Sequence, residues 1–158
     1  MFYLGGYAAT NLTAFSAVIA ISNRIGSDMV DDFAGMARRS PYIAAALSFA
    51  MISLIGLPPA VGFISKIYLF GAAVDTNLEW LAVIAVVNSV VSAYYYLRVV
   101  RVMYLLPPLS EEPVRAGPSM GLAVACTFAG TAIFGLYPTP LLNLAKTAAE
   151  VLLAGFQV

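Results

Sequence analysis

The sequence predicts an all-α polytopic membrane protein with four transmembrane helices, the second discontinuous at Gly56–Pro59, and a C-terminal interfacial helix. Three observations lead there. Residues of the AVILMFWYC set fill 61% of the 158 positions and charged residues only 10%, too few polar groups to cover a water-soluble domain. Charges and prolines cluster, and cutting the chain at those clusters leaves four apolar stretches. The second stretch is too long for one straight crossing and contains Pro58 and Pro59.

The first span covers residues 2–22. Unlike a secretory leader it has no basic start, and it carries Tyr7, Thr10, Asn11 and Thr13 within its apolar run, so it reads as a spanning helix. A polar loop, 23–40, follows with Arg24, Asp28, Asp31, Asp32, Arg38 and Arg39. The second span, 41–74, would measure roughly 50 Å as one straight helix at about 1.5 Å per residue, against a hydrocarbon core of about 30 Å. It has to tilt, break or overhang. A turn at 75–79 leads to the third span, 80–106, with Trp80 at one end and Tyr94, Tyr95 and Tyr96 toward the other, where amphipathic rings favour the membrane interface. Prolines 107, 108, 113 and 118 keep the loop 107–119 from continuing the helix. The fourth span, 120–137, sets Ala123, Thr127, Thr131 and Gly135 on one face suited to close helix packing, and Cys126 beside them reads as apolar filler. The tail, 138–158, follows Pro138 and Pro140 and is weakly amphipathic, with Lys146 and Glu150 four apart. Its place is the membrane interface or a partner's surface.

Charge excludes several functions. Eight Lys/Arg against eight Asp/Glu leave no net charge, hence no basic field for nucleic acid. One cysteine and no histidine leave neither an internal disulfide, nor a Cys/His zinc set, nor a Ser/His/Asp triad. The positive charges are distributed by side. Arg24, Arg38 and Arg39 belong to the first loop and Arg98, Arg101 and Arg115 to the third, while the turn between the second and third spans has none. By the positive-inside rule, loops 23–40 and 107–119 are cytoplasmic, and the chain start and tail lie opposite.

The residue that stands out is Lys66. Pro58 and Pro59 remove two amide donors and orphan carbonyls near residues 50–55, which then need other partners in lipid. Gly56 and Gly62 flank this break. Lys66 lies seven residues after Pro59, two helical turns, and so projects from about the same face. Eight uncharged residues separate it from Asp75, about 12 Å of rise and roughly twice a lysine's reach, which strains any snorkelling to the near interface. An ammonium at that depth costs roughly 2.5–3.5 kcal/mol on the lenient insertion scale. A buried, protonatable lysine of this kind is the candidate proton relay. Tyr7, Thr10 and Asn11 on the first span and Asn88, Ser89 and Ser92 on the third form a possible polar path, with interhelical hydrogen bonding as the alternative reading. No carboxylate lies deep in any span.

The run from Ser53 to Lys66 (SLIGLPPAVGFISK), preceded by Arg38-Arg39-Ser40-Pro41 and followed by Asn88-Ser-Val-Val-Ser-Ala-Tyr-Tyr-Tyr-Leu-Arg98, resembles the C-terminal part of subunit N of the proton-pumping NADH-quinone oxidoreductase. That family is one of the antiporter-like membrane subunits of respiratory complex I. The resemblance covers nearly the whole chain. It implies two inverted five-helix repeats in the complete subunit, each with a discontinuous helix and a buried charge, and makes residues 1–158 one membrane domain holding the last four of about fourteen spans. Lys66 then falls on the lysine of the second repeat's broken helix, on a proton path toward the periplasm. The first repeat's glutamate and lysines have no counterpart, so the chain is expected to be a piece of a longer protein. The implied function is coupling NADH:quinone electron transfer to proton pumping in the bacterial inner membrane. The implied partners are the complex's other membrane subunits and the lipid bilayer. NADH, FMN, iron-sulfur clusters and quinone are expected on other subunits, with no cofactor in this chain. A related multi-subunit cation/proton antiporter and a structural module with a statically paired Lys66 are the alternatives.

Overall fold

The computed structural model describes residues 2–155, with side chains through residue 151. Its regular structure is helical: α1 (Phe2–Ile25), α2 (Met36–Arg39), α3 (Pro41–Ile55), α4 (Val61–Asp75), α5 (Glu79–Leu105), α6 (Pro118–Leu136) and α7 (Thr139–Gly155), with one 3₁₀ turn at Val30–Phe33. Three of these, α1, α5 and α6, are long and apolar enough to cross a membrane unaided. At 15 residues each, α3 and α4 measure about 22 Å apiece.

The second apolar stretch divides where the prolines require. Gly56 caps α3 with φ +89°, its N–H donating to Ile52 O (3.1 Å) and Ser53 O (3.0 Å), the left-handed ending that glycine accommodates. Residues 57–60 are non-helical, Pro58–Pro59 is cis, and α4 restarts at Val61. Pro118, expected to belong to the preceding loop, instead opens α6, as Pro41 opens α3. Proline suits that position because the first helical N–H has no intrahelical partner. Loop 23–40 is more ordered than its charges suggest. Phe33, Ala34 and Met36 are buried within it, and Gly35 N donates to Val102 O at 3.2 Å, tying the segment to the end of α5.

At the centre, α1 packs against α3, α4 and α6, while α5 lies against α3 and, less extensively, α4. The core is built of small residues, with Ala14, Ala17 and Ala20 of α1 and Ala44 and Ala50 of α3 all buried, so the backbones approach closely. The stripe on α6 takes part: Thr131 and Gly135 are buried, Thr13 and Thr131 share a 2.9 Å hydrogen bond, and Cys126 faces outward. The two arginine-bearing loops meet at one end. Val114 N donates to Arg39 O (3.0 Å), Arg39 Nε to Glu112 O (2.9 Å), and Arg98 pairs with Asp31 (3.3 Å) in the open. At the other end α7 packs on the start of α1, with Leu141 over Gly5.

Candidate functional site at the helix break

Helix periodicity would pair Leu54 O with the amide of residue 58 and Ile55 O with that of residue 59. Both positions are prolines and have no amide hydrogen to give. Lys66 fills both vacancies. From the second turn of α4 its stem runs back toward the helix start, the direction helical side chains favour. Nζ then donates to Leu54 O (3.0 Å) and Ile55 O (2.8 Å). These carbonyls end α3, where the helix dipole presents partial negative charge and favours a cation. The third donor goes to α5, with Nζ 3.0 Å from Ser89 Oγ.

Glycines give the lysine its route. A Cβ on Gly56 would lie 2.8 Å from Lys66 Cδ, and one on Gly62 would overlap the Ser53 carbonyl oxygen. Without those Cβ atoms, α3 and α4 close on each other, and Gly62 N donates to Ser53 Oγ at 3.2 Å.

Lys66 opens onto a polar cleft of about 310 Å³ between α1, α3, α4 and α5. On the α1 side stand Tyr3, Tyr7 and Thr10, the last with Oγ1 donating to Gly6 O (2.9 Å) and 3.2 Å from Ser53 Oγ. On the α5 side are Asn88, Ser89, Ser92 and Tyr96. Ser89 Oγ donates to Ala85 O (2.9 Å) and Ser92 Oγ to Asn88 O (2.8 Å). Ser65 is 1% exposed, and its Oγ has no hydrogen-bond partner among the described residues. No Asp, Glu or Arg is among the described residues of the cleft wall.

Five of the six polar positions singled out from sequence line this cleft: Tyr7, Thr10, Asn88, Ser89 and Ser92. Asn11 does not. It donates to Tyr7 O at 2.8 Å, back along its own helix, because one step from Thr10 turns it about 100° away. Tyr3, Ser53, Ser65 and Tyr96 supply further polar side chains of the wall, outside the path expected from sequence. For Tyr96 a signal existed, since residues 89, 92 and 96 share one helical face. Ser53 and Ser65 have no such periodic partner, and their place follows from the close approach of α3, α4 and α1.

The family described as NADH:quinone oxidoreductase/Mrp antiporter, transmembrane, matches residues 1–92. NADH-quinone oxidoreductase subunit N of Dehalococcoides mccartyi is 42% identical over 97% of this chain and 32% of its own length. The subunit N of Moorella thermoacetica is 43% identical over 94% of this chain and 32% of its own. Among solved structures, respiratory complex I from Thermus thermophilus with bound aureothin contains a chain with a TM-score of 0.77 and 30% identity, covering 90% of this chain and 34% of that one. A membrane-bound sulfane sulfur reductase, an archaeal respiratory membrane complex, gives 0.81 and 26% over 90% of this chain and 29% of the other. The chain spans about a third of the length of the curated relatives it matches. With more than half of its residues inside the matched region, the chain belongs to the NADH:quinone oxidoreductase/Mrp antiporter transmembrane family.

Proposed function

We propose that this chain is part of a proton-translocating, subunit N-like membrane subunit of an NADH-quinone oxidoreductase, with Lys66, expected to be buried but only half-buried at the helix break, as its protonatable relay. The observation that carries the reading is the setting of Lys66. An ammonium beneath a helix break faces a polar cleft and is held by neutral oxygens, with no carboxylate among the described residues of the cleft wall. The static alternative would need a carboxylate supplied from outside the described residues. Tyr7, Thr10, Asn88, Ser89 and Ser92 form the polar surface along which a proton reaches or leaves the lysine.

In this reading α3 and α4 cross the bilayer together, making the second of four spans, and the break lies at depth where protein groups satisfy its backbone. The arginine-rich end faces the cytoplasm of a bacterial inner membrane, and α7 lies at the opposite interface. The remainder of the subunit supplies the other half of the path, and neighbouring membrane subunits surround it. Redox chemistry and its cofactors belong to other subunits. The relatives' shared name, subunit N, supports an NADH-quinone oxidoreductase over an Mrp-type antiporter.

The relay reading and a purely structural cap separate in a pair of substitutions. Lys66→Met removes the cap and the proton. Lys66→Arg keeps a cation but one that does not deprotonate in proteins. A relay requires both variants, in the full-length subunit of the assembled complex, to lose most NADH-driven proton uptake into inverted membrane vesicles. Normal uptake by Lys66→Arg would establish the structural cap and remove the relay.

A further inference from the structure

How Lys66 releases its proton, a question that rests on the relay reading, turns on its hydrogen bonds. A lysine ammonium has three N–H donors and no acceptor, whereas the neutral amine has two donors and one lone pair. The three partners of Nζ are Leu54 O, Ile55 O and Ser89 Oγ, so the ammonium is fully paired. On deprotonation one partner must change from acceptor to donor or be left unpaired, which is costly away from water. The two carbonyl oxygens carry no hydrogen. Ser89 does, and its hydroxyl now donates to Ala85 O at 2.9 Å. Releasing that bond leaves little unsatisfied, because Ala85 is four residues before Ser89 in α5 and its carbonyl keeps the helical N–H bond.

We propose that Ser89 is the proton outlet of Lys66 and the donor that holds the neutral amine. In the transfer, the Ser89 hydroxyl turns from Ala85 O and passes its proton to a water in the cleft as the Oγ takes the proton from Nζ. One Nζ–H bond and the original Oγ–H bond break, and a new Oγ–H bond and a new O–H bond on water form. The positive charge moves from Nζ to that water, and the serine is regenerated. Its new hydrogen points at the Nζ lone pair, while the amine's two remaining hydrogens stay on Leu54 O and Ile55 O. Every hydrogen bond at the lysine thus survives in both protonation states. The break need not rearrange as the charge leaves.

The cleft, at about 310 Å³, has room for several waters at about 30 Å³ each. Its other titratable groups are Tyr3 and Tyr7 on α1 and Tyr96 on α5, none of them hydrogen-bonded to Nζ. The cleft's other hydroxyls, on Thr10, Ser53, Ser65 and Ser92, make no hydrogen bond to Nζ. Ser89 is therefore the hydroxyl positioned to exchange with the lysine.

The test uses the full-length subunit in its assembled complex, with Ser89→Ala, Ser89→Thr and Lys66→Met compared in inverted membrane vesicles driven by NADH. Proton uptake is normalised to the amount of assembled complex, and its solvent deuterium isotope effect is measured. Ser89→Ala is expected to slow uptake by about tenfold or more and to change the isotope effect, as loss of a proton-transfer group does. Ser89→Thr, which keeps the hydroxyl, restores most of the rate. The proposal is overturned if Ser89→Ala retains uptake within about twofold with the same isotope effect, or if Ser89→Thr is as impaired as Ser89→Ala. If Lys66→Met and Lys66→Arg, measured alongside, both abolish uptake in those cases, the relay stands and only the role of Ser89 fails. Normal uptake by Lys66→Met removes both.

Discussion

Gly56 serves the site by two separate means: its backbone, at φ +89°, turns the chain out of α3, and its missing side chain leaves space for the Lys66 stem. An L-residue in the left-handed region costs roughly 1–2 kcal/mol, and here a Cβ would also stand 2.8 Å from Lys66 Cδ. Gly26 separates the two effects. It has a similar φ, +72°, but a Cβ there would meet nothing within 4 Å. Gly26→Ala is therefore expected to lower thermal stability by about 1–2 kcal/mol, and Gly56→Ala by more, because the contact with Lys66 adds to the same backbone cost. Only Gly56→Ala should also depress proton uptake, because only there does the added methyl push Nζ from Leu54 O and Ile55 O. Thermal denaturation of the purified complex and vesicle uptake measure the two quantities independently. Equal uptake by both variants would show that the lysine's route past Gly56 has no functional weight.

The contact between α3 and α4 sets the geometry that Lys66 bridges. Gly62→Ala should gain up to about 1 kcal/mol from helix propensity, yet its Cβ would overlap the Ser53 carbonyl oxygen, which is backbone and has little freedom to yield. Overpacking of this kind costs typically about 1–3 kcal/mol, so the net effect is destabilising, and α4 has to move off α3. Gly71, in the same helix with nothing near a Cβ, is expected to become Ala with no loss of stability. Thermal melts of the two variants check the ordering, and a more stable Gly62→Ala would mean that the two helices are not held in close contact. The break itself was legible in sequence because proline chemistry is local: the orphaned carbonyls and the face of Lys66 both follow from position along the chain. The choice of Ser89 as third partner was not, since it depends on how α5 is rotated against α3 and α4. The long apolar runs of α1, α5 and α6 were legible to within a few residues. The turn at α2 was hidden, because charges on either side mask the buried Phe33 and Met36 that anchor it.

Across the whole molecule the arginines form one pole. Arg39 and Arg98 tie the two long loops together through Glu112 O and Asp31, while the turn after α4 carries no Lys or Arg. Because basic residues near span ends resist translocation, that pole is expected to be cytoplasmic, with α3 and α4 counting as one crossing between it and the turn. This count is what the topology tests. If α4 returned to the side from which α3 entered, the turn at Thr76 would share a compartment with the arginine loops. If the pair crosses once, it lies opposite. Single cysteines at Asp28, Thr76 and Glu111, all exposed, report the difference in a Cys126→Ser background that removes the native thiol. A membrane-impermeant maleimide added to inverted vesicles is expected to label Asp28→Cys and Glu111→Cys. The same reagent on spheroplasts is expected to label Thr76→Cys alone. Labelling of all three from one side would make α3 and α4 a re-entrant hairpin, and Lys66 would then sit at the closed end of a half-channel instead of along a through path.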